Sequence, residues 1–202
     1  MARYGPTTKD SSSVMLGLGK VLLGASATNI ASTSRALAWS TDTLGVLESS
    51  NLISEVESWR LESGFPLMED KTIVLRENAR LECEFKEVKP KTIAFAKGID
   101  ASSGYDSVTS GEVALGDMSA PAYVRMEAIY TYPDQNHHMI VIFPRANVES
   151  NLEINPAKES EANVPMTIRA TRADSEATGG DAAWDDMPLG RIYWTTADPT
   201  SP

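Results

Sequence analysis

The chain has 202 residues, 42% of them hydrophobic, and a formal charge of −10; that is enough apolar material for one substantial core. The acidic balance excludes a protein that grips nucleic acid through its phosphates, because such affinity comes from Lys and Arg. A single cysteine, Cys83, excludes an intrachain disulfide and fits synthesis in a reducing compartment.

Residues 1–13 are polar, carry Gly5-Pro6 and read as a flexible N-terminal arm. The apolar run 14–23 imitates a secretory leader, with Arg3 and Lys9 before it and Ala25-Ser26-Ala27 after it. Lys20 interrupts that run and it is too short to span a bilayer, so a strand is expected. Residues 25–40 are small and polar without a sustained period, which predicts a loop anchored by Trp39.

Short β-compatible runs follow around 53–59 and 73–75, separated by Gly64-Phe65-Pro66. Gly and Pro stop either element there, so 63–70 is expected to be an extended loop or hairpin tip. Phe65, Pro66 and Leu67 place apolar groups on that protrusion, a combination expected where a neighbouring subunit covers it. In 78–88, Leu81, Cys83 and Phe85 alternate with Arg80, Glu82, Glu84 and Lys86, the pattern of a half-buried strand. Cys83 thereby falls on the apolar face, as a small hydrophobe and not a nucleophile.

Pro90 and Gly98 bracket a short helix predicted over 91–97. Residues 100–120 are rich in Ser, Gly and Asp and read as a surface loop with a brief strand at 113–115. Strands are expected at 122–132 and 138–143, joined by the turn Pro133-Asp134-Gln135-Asn136. A last strand, 164–171, turns Met166, Ile168 and Ala170 inward. In the C-terminal extension 175–202, Trp184, Ile192 and Trp194 are candidates to dock on the body or to touch another subunit. Many strands, one short helix and no internal repeat give a mainly β class, a β-sandwich or split barrel with one short flanking helix, over a main domain 14–174.

The candidate chemistry is thin. Gly19-Lys20 lacks the phosphate loop's glycine five positions earlier, where Val14 stands, and its following hydroxyl, where Val21 stands. His137 and His138 are adjacent on a strand, so they point to opposite faces and do not grip one metal together. No Gly-x-Ser-x-Gly elbow sharpens a serine. Glu82 with Glu84 shares a strand face, yet Arg80 and Lys86 flank them there; Asp185 with Asp186 is the other acidic pair. The expectation is a protein that is not an enzyme, with no cofactor and no metal.

Five stretches in order, "LGLGKVLLG", "GFPLMEDKTIVLRENARLECEFKEVKP", "YTYP", "IFPRANVES" and "VPMTIRATRAD", resemble the major tail tube proteins of long-tailed, siphovirus-like bacteriophages over roughly 14–174. The segments 25–40 and beyond 174 depart from that pattern. The resemblance implies six copies per ring, strands joining between subunits, and rings stacked into a hollow tube through which DNA passes at ejection. A tape measure protein would lie inside, and terminator and tip proteins would meet the ends. The protein would be made in the bacterial cytoplasm and reside in the virion tail, with no membrane association. Such closure would turn surplus sheet edges into bonds between subunits. On this reading Phe65, Pro66 and Leu67 are inter-subunit loop candidates, and Glu82 and Glu84 are lumen-facing candidates that repel transiting DNA without binding it. The alternative is a non-catalytic host-surface or carbohydrate-binding β-sandwich module, with Trp39, Tyr123, Tyr130 and Tyr132 as its aromatic platform; a hydrolase using His137 or His138 is a third reading.

Overall fold

The computed structural model describes residues 19–45, 47–63, 68–98, 113, 122–149 and 163–200. Among these residues there are seven strands: β1 (Lys20–Ala25), β2 (Leu47–Ser63), β3 (Met68–Phe85), β4 (Val124–Thr131), β5 (His138–Val148), β6 (Val164–Ala170) and β7 (Arg191–Thr195). One-turn helices α1 (Ser26–Asn29) and α2 (Trp39–Asp42), the helix α3 (Pro90–Ala96) and a 3-10 turn (Ala182–Trp184) complete them. The strands form one antiparallel sheet in the order β1-β4-β5-β6-β3-β2, with β7 also on β5.

The sheet is rolled, not flat. The Tyr130 hydroxyl on β4 donates to Ser50 Oγ on β2 at 3.2 Å, although three strands lie between them in the sheet order. In a flat sheet that spacing would be roughly 19 Å. Rolling brings Val21 and Leu23 of β1, Phe143 of β5, Met166 of β6 and Phe85 of β3 into one buried cluster. α3 covers this concave face with Ala94, Phe95 and Ala96, starts at Pro90, and is tied back by Thr92 Oγ1 donating to the Leu44 carbonyl at 3.0 Å. Gly98 stops it at φ +72°, the left-handed conformation that favours glycine.

The opposite face carries a second cluster of Leu22, Leu37, Ile129, Ile140, Ile142, Ala173 and Trp184. Residues beyond 174 are therefore built into this body. Trp184 is fully buried and donates its indole N–H to the Ile30 carbonyl at 2.6 Å, and β7 pairs with β5 from Arg191↔Ile142 to Thr195↔His138. The chain enters β7 at Gly190 (φ +128°), where an added Cβ would stand 2.0 Å from the Ile142 carbonyl oxygen.

Within this second layer lies a buried ion cluster. Arg125 on β4 donates to Glu127 at 2.8 Å and to the carbonyls of Asn29 and Ser32, each at 2.8 Å, and of Ser34 at 2.5 Å. Glu127 also accepts the Ala36 backbone N–H at 2.8 Å and lies 3.4 Å from Arg35 Nε. Burial pushes the Arg125 guanidinium below its usual pKa, and Glu127 opposes that shift. These bonds pin a loop with no hydrophobic period of its own onto the sheet.

The structure departs from the sequence reading in places. Segment 25–40 holds α1 and the start of α2, and not only loop. β5 runs five residues past the Phe143 expected as its end, because Pro144 sits at a register shift opposite Val124–Met126, where a strand tolerates its missing N–H. Of the brief strand expected at 113–115 only Val113 is described, outside any strand. Substituting Glu127→Gln should leave two buried guanidiniums short of their carboxylate and lower stability by about 3–5 kcal/mol, measured by urea denaturation against the native chain.

Candidate assembly surface

β2 and β3 remain paired from Leu47↔Phe85 to Ser63↔Met68, but β3 is bonded to β6 only from Phe85 to Arg80. Beyond Arg80 the hairpin continues as a two-stranded arm about 30 Å long at ~3.4 Å per residue. The sequence reading saw here two short runs and a loop over 63–70; the structure extends strand through both runs and includes Met68–Asp70 in β3. Phe65, Pro66 and Leu67, the inter-subunit loop candidates, lie outside the described residues.

Register assigns the side chains of the arm to two faces, since residues directly opposite share a face. One face continues the core side of Leu52↔Leu81 and Ser54↔Ala79 through Val56↔Glu77 to Ser58↔Val74. The other carries Glu55↔Asn78, Glu57↔Arg76, Trp59↔Ile73 and Leu61↔Lys71. Leu75 occupies the irregularity between these registers. Trp59 is 48% exposed, Val74 62% and Leu75 61%, and Val56, Leu61 and Ile73 are exposed too. These residues belong to neither buried cluster.

Glu82 and Glu84 lie at the root of the arm on its second face. Glu82 accepts from Arg80 Nε at 2.9 Å, and Arg80 also reaches Glu55 Oε2 at 3.1 Å; the bonds to Glu55 and then Glu82 raise the Arg80 pKa. Glu84 is exposed two residues on, beside a shallow cleft of about 280 Å³ shared with Ser49, Asn51 and Thr167. The face is a mixed-charge surface with acidic groups spaced along one strand.

The other sequence candidates are scattered. His138 is buried with Nδ1 3.1 Å from Thr131 Oγ1, whereas His137 is exposed beside the Asp134 carboxylate, whose pKa it lowers. Among the described residues no group of three His, Cys, Asp or Glu is placed to hold a metal ion. Lys20 stacks over Trp39 at 4.2 Å from the ring centroid, and an added Cβ on Gly19 would stand 2.5 Å from the Ile129 carbonyl, so this glycine serves close passage of β1 past β4. Asp185 accepts the Ser175 N–H, which lowers its pKa, and Asp186 is exposed beside it. Tyr130 is buried in the first cluster, Trp39 packs on the second, and Tyr123 lies under Arg145 at 3.6 Å, so these aromatics occupy different faces. Sequence reasoning missed Val56, Trp59, Val74 and Leu75 as a surface; the signal available was two strand-compatible runs rich in both charge and large apolar groups on either side of Gly64-Phe65-Pro66.

No protein-family model matches the chain, and a search of the curated proteins finds no match.

Cys83 faces the core, 4% exposed, and burial, with help from Glu84, holds its thiol at about 12 against an ordinary 9.0. The unfolded chain releases this proton from pH 9.0 upward while the folded chain keeps it to about 12. The resulting contribution is complete below pH 9.0 and declines toward 12 at about 1.4 kcal/mol per pH unit. Denaturation of the native chain and Cys83→Ala at about pH 8 and about pH 10 should show that extra decline in the native chain only.

Proposed function

We propose that this chain is a structural virion protein that assembles as stacked hexameric rings into the hollow tail tube of a long-tailed bacteriophage, through which DNA passes at ejection. The observation that carries the reading is the β2–β3 arm, a long ribbon with large apolar groups in water and an outer β2 edge unpaired among the described residues. Two-stranded ribbons are marginal alone, and an unpaired edge recruits another chain. Identical copies in a closed ring satisfy both needs, with strands of adjacent subunits joining side by side. A rolled antiparallel sheet with α3 against one face fits the split-barrel or sandwich subunit such a ring requires. No helix among the described residues is long and apolar enough to cross a membrane.

Glu82 and Glu84 are assigned to the lumen in this proposal, where carboxylates repel phosphate and Arg80 keeps Glu82 oriented. The tape measure protein and the terminator and tip proteins are the remaining proposed partners.

Negative-stain microscopy of the purified protein should show rings or tubes. A chain in which residues 58–75 are replaced by an Asn-Gly turn should keep its fold, since both buried clusters are retained, and stay monomeric. Tubes from the shortened chain, indistinguishable from native ones, would remove the arm as the basis of this reading. Dispersed monomers of the native chain that bind glycans would favour the carbohydrate-binding module.

Replacing Glu82 and Glu84 by Lys should leave tubes able to form but make them retain DNA in a salt-dependent manner, with affinity falling steeply between about 50 and 200 mM salt. Absence of retention by tubes that do assemble would move these residues out of the lumen.

A further inference from the structure

We infer that the arm is an intercalating element: second copies of this chain cover both of its faces, so each subunit uses two non-equivalent arm surfaces. The inference rests on the self-assembly proposed above and identifies which surfaces of the arm the copies bury.

Register separates the exposed apolar groups onto opposite sides of a ribbon only one sheet thick. Val56 and Val74 stand on the side continuous with the core, and Trp59, Leu61 and Ile73 on the reverse. Pairing by strand edges alone adds a neighbour in the plane of the ribbon and leaves both faces wet. A partner lying on one face leaves the other set exposed.

Area points the same way. A ribbon about 30 Å long and ~10 Å wide offers roughly 300 Å² per face, whereas a stable interface takes about 800 Å² from each partner. One covered face falls well short. Two covered faces with a paired edge bring the arm's total burial, divided over its neighbours, toward that range.

A ring of identical copies supplies two neighbours to every subunit, and its contacts are heterologous, joining unlike surfaces. The arm meets that requirement with chemically different faces, one bearing valines with Glu77 and Arg60, the other an indole and branched aliphatics between Glu57, Arg76 and Lys71. A second copy is also the best-matched apolar occupant. Of the ten exposed large hydrophobics among the described residues, six are on the arm; Val88, Tyr123, Ile192 and Trp194 are divided over the rest of the body.

Ile73 and Val74 are adjacent and exposed, and they lie on opposite faces, so they make a matched pair of probes. Ile73→Cys and Val74→Cys chains are labelled with a maleimide before and after assembly, Cys83 remaining silent because it is buried and its thiol is held protonated. Both sites should lose reactivity by about tenfold or more in the assembled particle. In parallel, Trp59→Lys with Ile73→Lys, and Val56→Lys with Val74→Lys, should each stop growth beyond small oligomers while circular dichroism matches the native chain. Particles in which one position labels as fast as in the monomer, or normal growth by either Lys pair, would overturn the two-faced arrangement and leave self-assembly standing. A native chain that never leaves the monomeric state would overturn both.

Discussion

A single edge of β5 accommodates two partners in succession, and the arm exists because of how they divide it. β7 takes the stretch from His138 to Ile142, and β6 takes Ala146 to Val148. β6 leaves the sheet after Ala170: Thr171 bonds the Arg145 carbonyl through both its N–H and its hydroxyl, and Ala173 donates to the Pro188 carbonyl in the second layer. β3, running on the other side of β6, therefore loses its inner partner at Arg80 but keeps β2 for the rest of its length. Had β6 continued beside β5, those same arm residues would lie inside a sheet. The diversion completes the second core and frees the ribbon in one stroke.

The energetics of body and arm differ accordingly. In the body, rolling lets one buried cluster draw on six strands and α3, and a fully buried Trp184 closes the other face. In the arm, cross-strand pairs such as Trp59↔Ile73 and Glu57↔Arg76 contribute about 0.2–1 kcal/mol each. Ordering the backbone costs about 1–2 kcal/mol per residue, so such pairs do not hold the ribbon rigid by themselves. Its local stability is low until something covers it.

Legibility of this fold in the sequence follows burial. The alternation over 78–85 and the inward set Met166, Ile168 and Ala170 were readable because one face meets the core and the other meets water, which writes a period of two, although β3 ends at Phe85 and not at the expected Val88. The helix at Pro90 was readable from its start and stop residues. The outer arm was not, since neither of its faces is buried within the chain and Val56, Trp59, Val74 and Leu75 follow no alternation that hydropathy detects. Nor was the ion cluster: Arg125 and Glu127 occupy inward positions of β4 that a pattern reader assigns to apolar residues, and their partners are carbonyls and an N–H around ninety residues away. Pro144 marked the end of a strand by local rules, yet the register shift let β5 pass through it.

The separations of these polar bonds order events on the ribosome. The carbonyl of Asn29 finds its donor only when Arg125 has been made, 96 residues later, and that of Ile30 waits 154 residues for the Trp184 indole. Emerging chain therefore carries Leu22 and Leu37 without their full covering until Trp184 has been made. Folding of this layer waits on residues 154 positions downstream, and long-range closure of that kind is slow. Until β7 has been made, β5 presents the vacant edge that β7 will occupy, so the nascent chain is most open to wrong strand partners in the interval between the two strands.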